Sequence, residues 1–202
     1  MSDDARFLDV FSGWLKTLGD DVGHVGSLLR DDTLPEGARR SVAGAVNYLF
    51  KSLDLIPDGI EDLGFVDDAF VLRVAAAQAL AVGEIPEGAS SAALTRYSDE
   101  AKEVEAFLGA EYPRLETYVR SLAKGAARGR TVDEIIASAE VRDALLGEVS
   151  GWSGAYEAPA FTRDPKTLVK LRAFLDTKLP RLRTLTRRRR GSPPRRPWRR
   201  GS

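Results

Sequence analysis

Between positions 54 and 68 the chain places six carboxylates within fifteen residues: Asp54, Asp58, Glu61, Asp62, Asp67 and Asp68. Hard cations such as calcium and magnesium take oxygen ligands of this kind. As a calcium loop the spacing fits poorly. With Asp54 in the first position, Asp58, Gly59 and Asp62 fall where a loop wants them, but Ile56 and Phe65 stand at the third and twelfth positions, where ligands are required. A structural use of the same residues fits better. Asp54 and Asp58 can accept backbone N–H groups in a turn, and Asp67 or Asp68 can sit in the first turn of a helix, whose dipole favours negative charge. Arg39, Arg40 and Arg73 are the expected partners for any charge left over. Asp54, Pro57, Asp58, Gly64, Asp67 and Asp68 are therefore read as a motif, structural or ligand-binding, with no metal and no cofactor assigned to it.

The rest of the sequence holds no catalytic constellation. There is no cysteine, which excludes disulfides, thiolate metal sites and a cysteine nucleophile. His24 is the single histidine, flanked by Gly23 and one residue from Gly26, and is read as a surface or cap residue. No serine stands in a nucleophile elbow and no glycine-rich phosphate loop is present. The expectation is a non-enzymatic protein, with no catalytic residue named.

A second kind of chemistry lies at the C-terminus. Residues 178–202 hold eleven Lys or Arg and no acid; residues 1–177 hold the other 19 bases against all 30 acids, so a body of net charge −11 carries a tail of +11. Like-charge blocks of this kind usually stay disordered and act as interaction tails. Arg187, Arg188, Arg189, Arg190, Arg195, Arg196, Arg199 and Arg200 suit phosphate, and Trp198 can stack on a base or sit at a lipid interface. Binding through them to nucleic acid or an anionic surface would weaken steeply with salt. The alternative is that the tail folds back loosely on the acidic body.

These groups need elements to position them. Phe7, Val10, Phe11, Trp14, Leu15 and Leu18 recur at helical spacing, and Gly19, Gly23 and Gly26 predict a break near Gly19 with resumption to Leu29. Pro35 opens a second helix bearing Val42, Ala45, Val46, Leu49 and Phe50. Pro57, Gly59 and Gly64 then forbid continuous helix, while Leu55, Ile56, Ile60 and Leu63 imply a buried loop. An Ala- and Val-rich helix runs from about Val66 to Val82. Ile85-Pro-Glu-Gly-Ala echoes Leu34-Pro-Glu-Gly-Ala, read as two helix starts of the same chemistry. Helices follow near 89–108 and 111–127. Thr131 and Glu134 form a capping box ahead of a helix through Leu146, residues 150–163 read as a loop with Trp152 as anchor, and Asp164-Pro165 starts a last helix to about Leu179. No set of alternating strands is found. The fold expected is all-α: a compact multi-helix bundle over 1–180, with a buried proline-containing loop, and a disordered arginine-rich tail over 181–202.

Residues 48–72 read Tyr-Leu-Phe-Lys-Ser-Leu-Asp-Leu-Ile-Pro-Asp-Gly-Ile-Glu-Asp-Leu-Gly-Phe-Val-Asp-Asp-Ala-Phe-Val-Leu. At Tyr48, Leu49, Asp54, Leu55, Ile56, Pro57, Asp58, Leu63, Gly64, Asp67 and Asp68 this resembles the YkvA-like family, a domain of unknown function, over about residues 38–80. The resemblance implies a helical hairpin at about 38–82: one helix, an Asp-Leu-Ile-Pro-Asp turn, and a Leu-Gly-x-x-Asp-Asp step into a second helix. It implies no enzymatic activity. Many relatives look membrane-associated, but Ser52, Gly59, Glu61 and Asp62 replace their proline and apolar surface here. With an acidic N-terminus and no apolar run near the ~20 residues needed to cross a bilayer, the chain is expected in the cytoplasm, associated with the nucleoid or the inner membrane. The reading that results is an interaction or adaptor protein. Its body would bind an unidentified protein partner, and its tail would tether it to nucleic acid or an anionic membrane surface. The alternatives are a peripheral inner-membrane protein and a divalent-cation-dependent module or enzyme using the Asp cluster.

Overall fold

A computed structural model describes residues 3–51, 54–60 and 62–181. The fold is all-α. Helix α1 spans Asp3–Ser27, α2 Glu36–Tyr48, α3 Val66–Leu80, α4 Ala89–Leu108, α5 Tyr112–Leu122, α6 Val132–Ala137, α7 Ala139–Ala155 and α8 Pro165–Lys178. Single 3-10 turns, Leu28–Arg30 and Gly109–Glu111, follow α1 and α4. Strand structure among the described residues is a two-residue antiparallel pair, Ala126–Ala127 with Arg130–Thr131.

Helix α3 is the axis of the bundle. It is buried on nearly every side, its polar residues Asp67, Asp68, Arg73 and Gln78 included, and it packs against α1, α2, α4 and α5. Phe70 on α3 meets Phe11 and Trp14 of α1 and Phe107 of α4, with the Phe11 and Phe70 rings 4.8 Å apart edge to face. Pairs in this geometry add about 0.5–1.5 kcal/mol beyond the area they bury.

The helices depart from the sequence expectation in four places. Helix α1 does not break at Gly19. A Cβ there would stand 3.2 Å from the Ser153 carbonyl oxygen and from the Tyr156 ring, and one at Gly26 would meet Leu146 at 3.3 Å. The glycines are the seam along which α7 crosses α1, and this close approach offsets a propensity cost of about 1 kcal/mol each. For the same reason residues 150–155 are helix rather than loop: Ser153 lies in α7 and donates to the Gly19 carbonyl at 2.7 Å. The helix expected over 111–127 ends at Leu122, and Arg128 and Gly129, both at positive φ, turn the short hairpin. Finally, Thr131 and Glu134 do form the reciprocal capping box, but its helix stops at Ala137, and Ser138 caps a new one by accepting the Val141 N–H.

Two smaller details also differ. Pro35 is the cap of α2 rather than its first residue, and the Pro86-Glu87 echo lies outside α4, which begins at Ala89. The two Pro-Glu-Gly-Ala segments are therefore not equivalent. At the far end Asp164 accepts the Lys166 N–H at 2.8 Å ahead of Pro165, as expected. Arg114 of α5 closes the C-terminus of α8 by donating to the carbonyls of Asp176 and Leu179 at 2.7 and 2.6 Å.

Candidate functional site

Asp67, in the first turn of α3, meets Tyr48, the last residue of α2. Tyr48 is buried, and its hydroxyl donates to Asp67 Oδ2 at 2.6 Å while accepting the Leu55 N–H at 2.8 Å. The same Asp67 oxygen accepts the Ile56 N–H at 3.0 Å. One tyrosine and one aspartate thus pin the backbone on the N-terminal side of Pro57 to the first turn of α3. Beyond Pro57 the chain closes in successive turns, with Ile60 N–H donating to the Pro57 carbonyl and Gly64 N–H to the Ile60 carbonyl. Glycine is required at 64 because a Cβ would lie 2.3 Å from the Asp58 carbonyl oxygen. Leu55, Ile56 and Leu63 point into the core.

Two residues of this turn have left-handed backbone, Asp62 at φ 73° and Phe65 at φ 64°. Aspartate visits that region at little cost; phenylalanine does not. Phe65 is held there by edge contacts to the rings of Trp152 and Tyr156, 6.0 and 5.5 Å away, and Thr162 donates to Asp62 at 2.5 Å. The end of α7 and the irregular segment after it therefore lie across the turn as a strap.

The electrostatics are unusual for a capped helix start. Asp67 and Asp68 are 0% and 4% exposed, and Asp67 Oδ1, Asp68 Oδ2 and Asp54 Oδ1 are all buried without a hydrogen-bond partner. Burial, reinforced by Asp67 and Asp58, pushes the Asp54 carboxyl up to about 7. Burial also raises Asp67, against the bonds from Tyr48 and Ile56 that favour its charged form. Asp68 is raised well above the ordinary carboxylate range, first by burial and then by Asp67, Asp58 and Asp54. Partial burial raises Asp58 too. The expectation that Asp54 and Asp58 accept backbone N–H groups is not met for Asp54 Oδ1, which is left without a partner.

The expected cationic partners are elsewhere. Arg39 pairs with Asp32, and Arg40 with Glu36 and Asp133. Arg73 is fully buried in a second polar cluster that the sequence reading missed. It donates to Asp21 at 2.9 Å, to Glu100 at 2.7 Å and to the Ala69 carbonyl at 3.1 Å, with its guanidinium 4.1 Å from the Trp14 ring centroid. Arg96 and Tyr97 complete it on Asp21 Oδ1 at 2.7 and 3.0 Å. This cluster joins α1, α3 and α4. A signal for it was available, since Asp21 stands three residues after Leu18 and seven after Trp14, on the apolar stripe of α1. His24 is exposed, its Nδ1 3.5 Å from the Tyr97 hydroxyl.

Among the described residues no group of three or more His, Cys, Asp or Glu is arranged to hold a metal ion. No helix among them is long and apolar enough to cross a membrane. Glu61 and Ser52 lie outside the described residues, as do all the tail positions named for anion binding: Arg187, Arg188, Arg189, Arg190, Arg195, Arg196, Trp198, Arg199 and Arg200.

The comparisons with known proteins bear on the same segment. A family model described as a protein of unknown function (DUF1232) matches residues 38–73, from the first turn of α2 to the middle of α3. That match supports likeness to a domain of unknown function over the hairpin. No curated protein and no solved structure matches the chain.

Proposed function

We propose that this chain is a non-enzymatic interaction protein whose helical body, built on a YkvA-like hairpin, engages a protein partner while its arginine-rich C-terminus tethers it to nucleic acid. The observation that carries the reading is the division of charge, −11 over residues 1–177 against +11 over 178–202. Arginine outnumbers lysine ten to one in that terminus. A planar guanidinium grips phosphate oxygens in pairs and stacks on bases, which favours nucleic acid over a purely electrostatic surface. Trp198 between Arg196 and Arg199 adds a stacking platform. The motif acids support the non-enzymatic part of the reading, because Asp67 and Asp68 are buried in the core and Asp67 joins α2 to α3.

The test is binding of the full chain, and of a chain ending at Arg181, to double-stranded DNA, to RNA and to anionic liposomes at low and moderate salt. Eight tail arginines engaging eight phosphates would give a slope of log K against log salt of about −7 for duplex DNA. Binding that has a slope of this order and is lost on truncation supports the tether. Preference for liposomes would move the reading to a peripheral membrane protein. Equal binding by the truncated chain, or none by either, removes it and leaves the acidic body as the tail's own target.

A further inference from the structure

Helix α8 carries a charge pattern of the opposite sign to the rest of the body. Residues 165–181 hold five bases, Lys166, Lys170, Arg172, Lys178 and Arg181, and one acid, Asp176. Most of the body's arginines lie against carboxylates, as Arg30 does against Asp143, Arg120 against Glu116 and Arg163 against Asp9. On α8 the one acid is held by Arg114 of α5 at 2.6 Å, and Arg172 lies 4.4 Å over the Phe107 ring and donates to the Phe107 carbonyl at 3.4 Å. Asp164, the cap ahead of the helix, accepts the backbone N–H of Lys166 at 2.8 Å. Lys166, Lys170, Lys178 and Arg181 are exposed, and none of the four has an ion-pair partner among the described residues.

The helix decides where these cations stand. Thr167, Leu168, Leu171 and Leu175 are buried and set its inner side. At about 3.6 residues per turn, Lys166 and Lys170 stand one turn apart on the outer side, with Val169, Ala173 and Thr177 as exposed neighbours and no acid among them. Lys178 is the last residue of the helix, on its flank. Beyond it Arg114 donates to the carbonyls of Asp176, Leu179 and Pro180 at 2.7, 2.6 and 3.3 Å, so Arg181 leaves the body from the C-terminal end of the same helix. Cations thus follow one another along about 21 Å of rigid helix and continue into residues 182–202, which hold no acid. Val169, 65% exposed, is the one large apolar side chain of the outer face. A helix that lies in a bilayer surface needs an apolar face, and one valine does not make it.

We propose that the outer face of α8 is a docking surface for the phosphate backbone of duplex nucleic acid, with Lys166, Lys170 and Lys178 each neutralising a phosphate and Arg181 carrying the contact on to the C-terminus. The inference takes its polymer from the tether reading, on which it rests, and adds a rigid contact made by the folded body. A duplex presents one charge for every ~1.7 Å of its axis, so a helix laid along it meets a phosphate wherever its cations fall. Lysine suits such a contact, because a compact ammonium on a flexible stem needs no fixed angle of approach. Phosphate contacts of this kind set the position of the body on the polymer and carry no base sequence.

The experiment measures binding of the full chain to a short duplex DNA over a series of salt concentrations. Lys166→Gln, Lys170→Gln and Lys178→Gln together are expected to lower the slope of log K against log salt by about 2.7 in magnitude, at about 0.9 per phosphate. Lys16→Gln, Lys102→Gln and Lys124→Gln, at exposed positions on other elements, remove the same charge and are expected to leave the slope as it was. Modification of the unaltered chain with an amine-reactive reagent reads the contact without any variant: the DNA should shield Lys166, Lys170 and Lys178 and leave Lys16 and Lys124 reactive. The docking surface is overturned by an unchanged slope in the α8 variant, by an equal fall in the control variant, or by α8 lysines that stay reactive. Shielding by anionic liposomes but not by DNA overturns it as well and makes the partner a membrane. The two readings fail separately. If the α8 variant lowers the slope while the chain ending at Arg181 binds as well as the full chain, the tether fails and the α8 surface stands; binding lost on truncation with a slope indifferent to the α8 lysines is the reverse.

Discussion

At the scale of single residues, Tyr48 carries more of the hairpin than its type suggests. Its hydroxyl serves one donor and one acceptor that have no other way out of the core. Tyr48→Phe keeps the ring and removes both bonds, leaving the Leu55 N–H unpaired and Asp67 with one partner fewer. The expected loss is about 1–3 kcal/mol in urea denaturation, with an unchanged m-value. Gly64→Ala should be worse for its size, since one methyl group meets the Asp58 carbonyl; about 2 kcal/mol or more is expected. Normal stability in that variant would show that the turn relaxes more easily than its contacts imply. Both residues were legible as motif positions, but nothing in their neighbours told which groups Tyr48 had to serve or which atom Gly64 had to avoid.

The elements are held by two polar devices of different kinds. One is the joint between α2 and α3; the other is the Asp21–Arg73–Glu100–Arg96 cluster that ties α1, α3 and α4 together. Removing one partner of a buried ion pair leaves the other uncompensated, at a typical cost of about 3–5 kcal/mol. Arg73→Ala is therefore expected to destabilise the bundle by that amount, and Arg73→Met with Asp21→Asn to restore much of it. If the double variant is no better than the single one, the cluster does not act as a pair-compensated unit. The capping box at Thr131 works within a short six-residue helix, so Thr131→Ala should cost about 1 kcal/mol and loosen α6 before the rest. Local hydrogen exchange along 132–137 measures this.

For the whole molecule, charge sets the response to pH. Asp54, Asp67 and Asp68 have raised folded values, so they bind more protons folded than unfolded. Their contribution to stability is fully present below about pH 4 and is lost as pH rises toward about 7. Asp31, Glu134 and Glu148, lowered by hydrogen bonds from Ser90, Thr131 and Arg130, act with the opposite sign and lose their contribution as pH falls. The Tm of the full chain should therefore pass through a maximum on the acid side of neutrality, and Asp68→Asn should shift that maximum upward in pH; an unshifted maximum would show that Asp68 is ionised in the fold. The sequence by itself determined the all-α class, the extent of α3, α4 and α8, the hairpin around Pro57, the side-chain caps at Thr131 and Asp164, and the division of charge. These follow from periodicity, propensity and composition, which act over a few neighbouring residues or over none. Only the tertiary structure decided that Gly19 and Gly26 are a helix crossing rather than a break, that Ser150 to Ala155 are helical, that Arg73 serves Asp21 rather than the motif, and that Asp67 and Asp68 are buried in the core. Each of these depends on which surfaces meet across more than fifty residues of chain, or on how a loop folds back over its own acids, and local pattern carries no record of either.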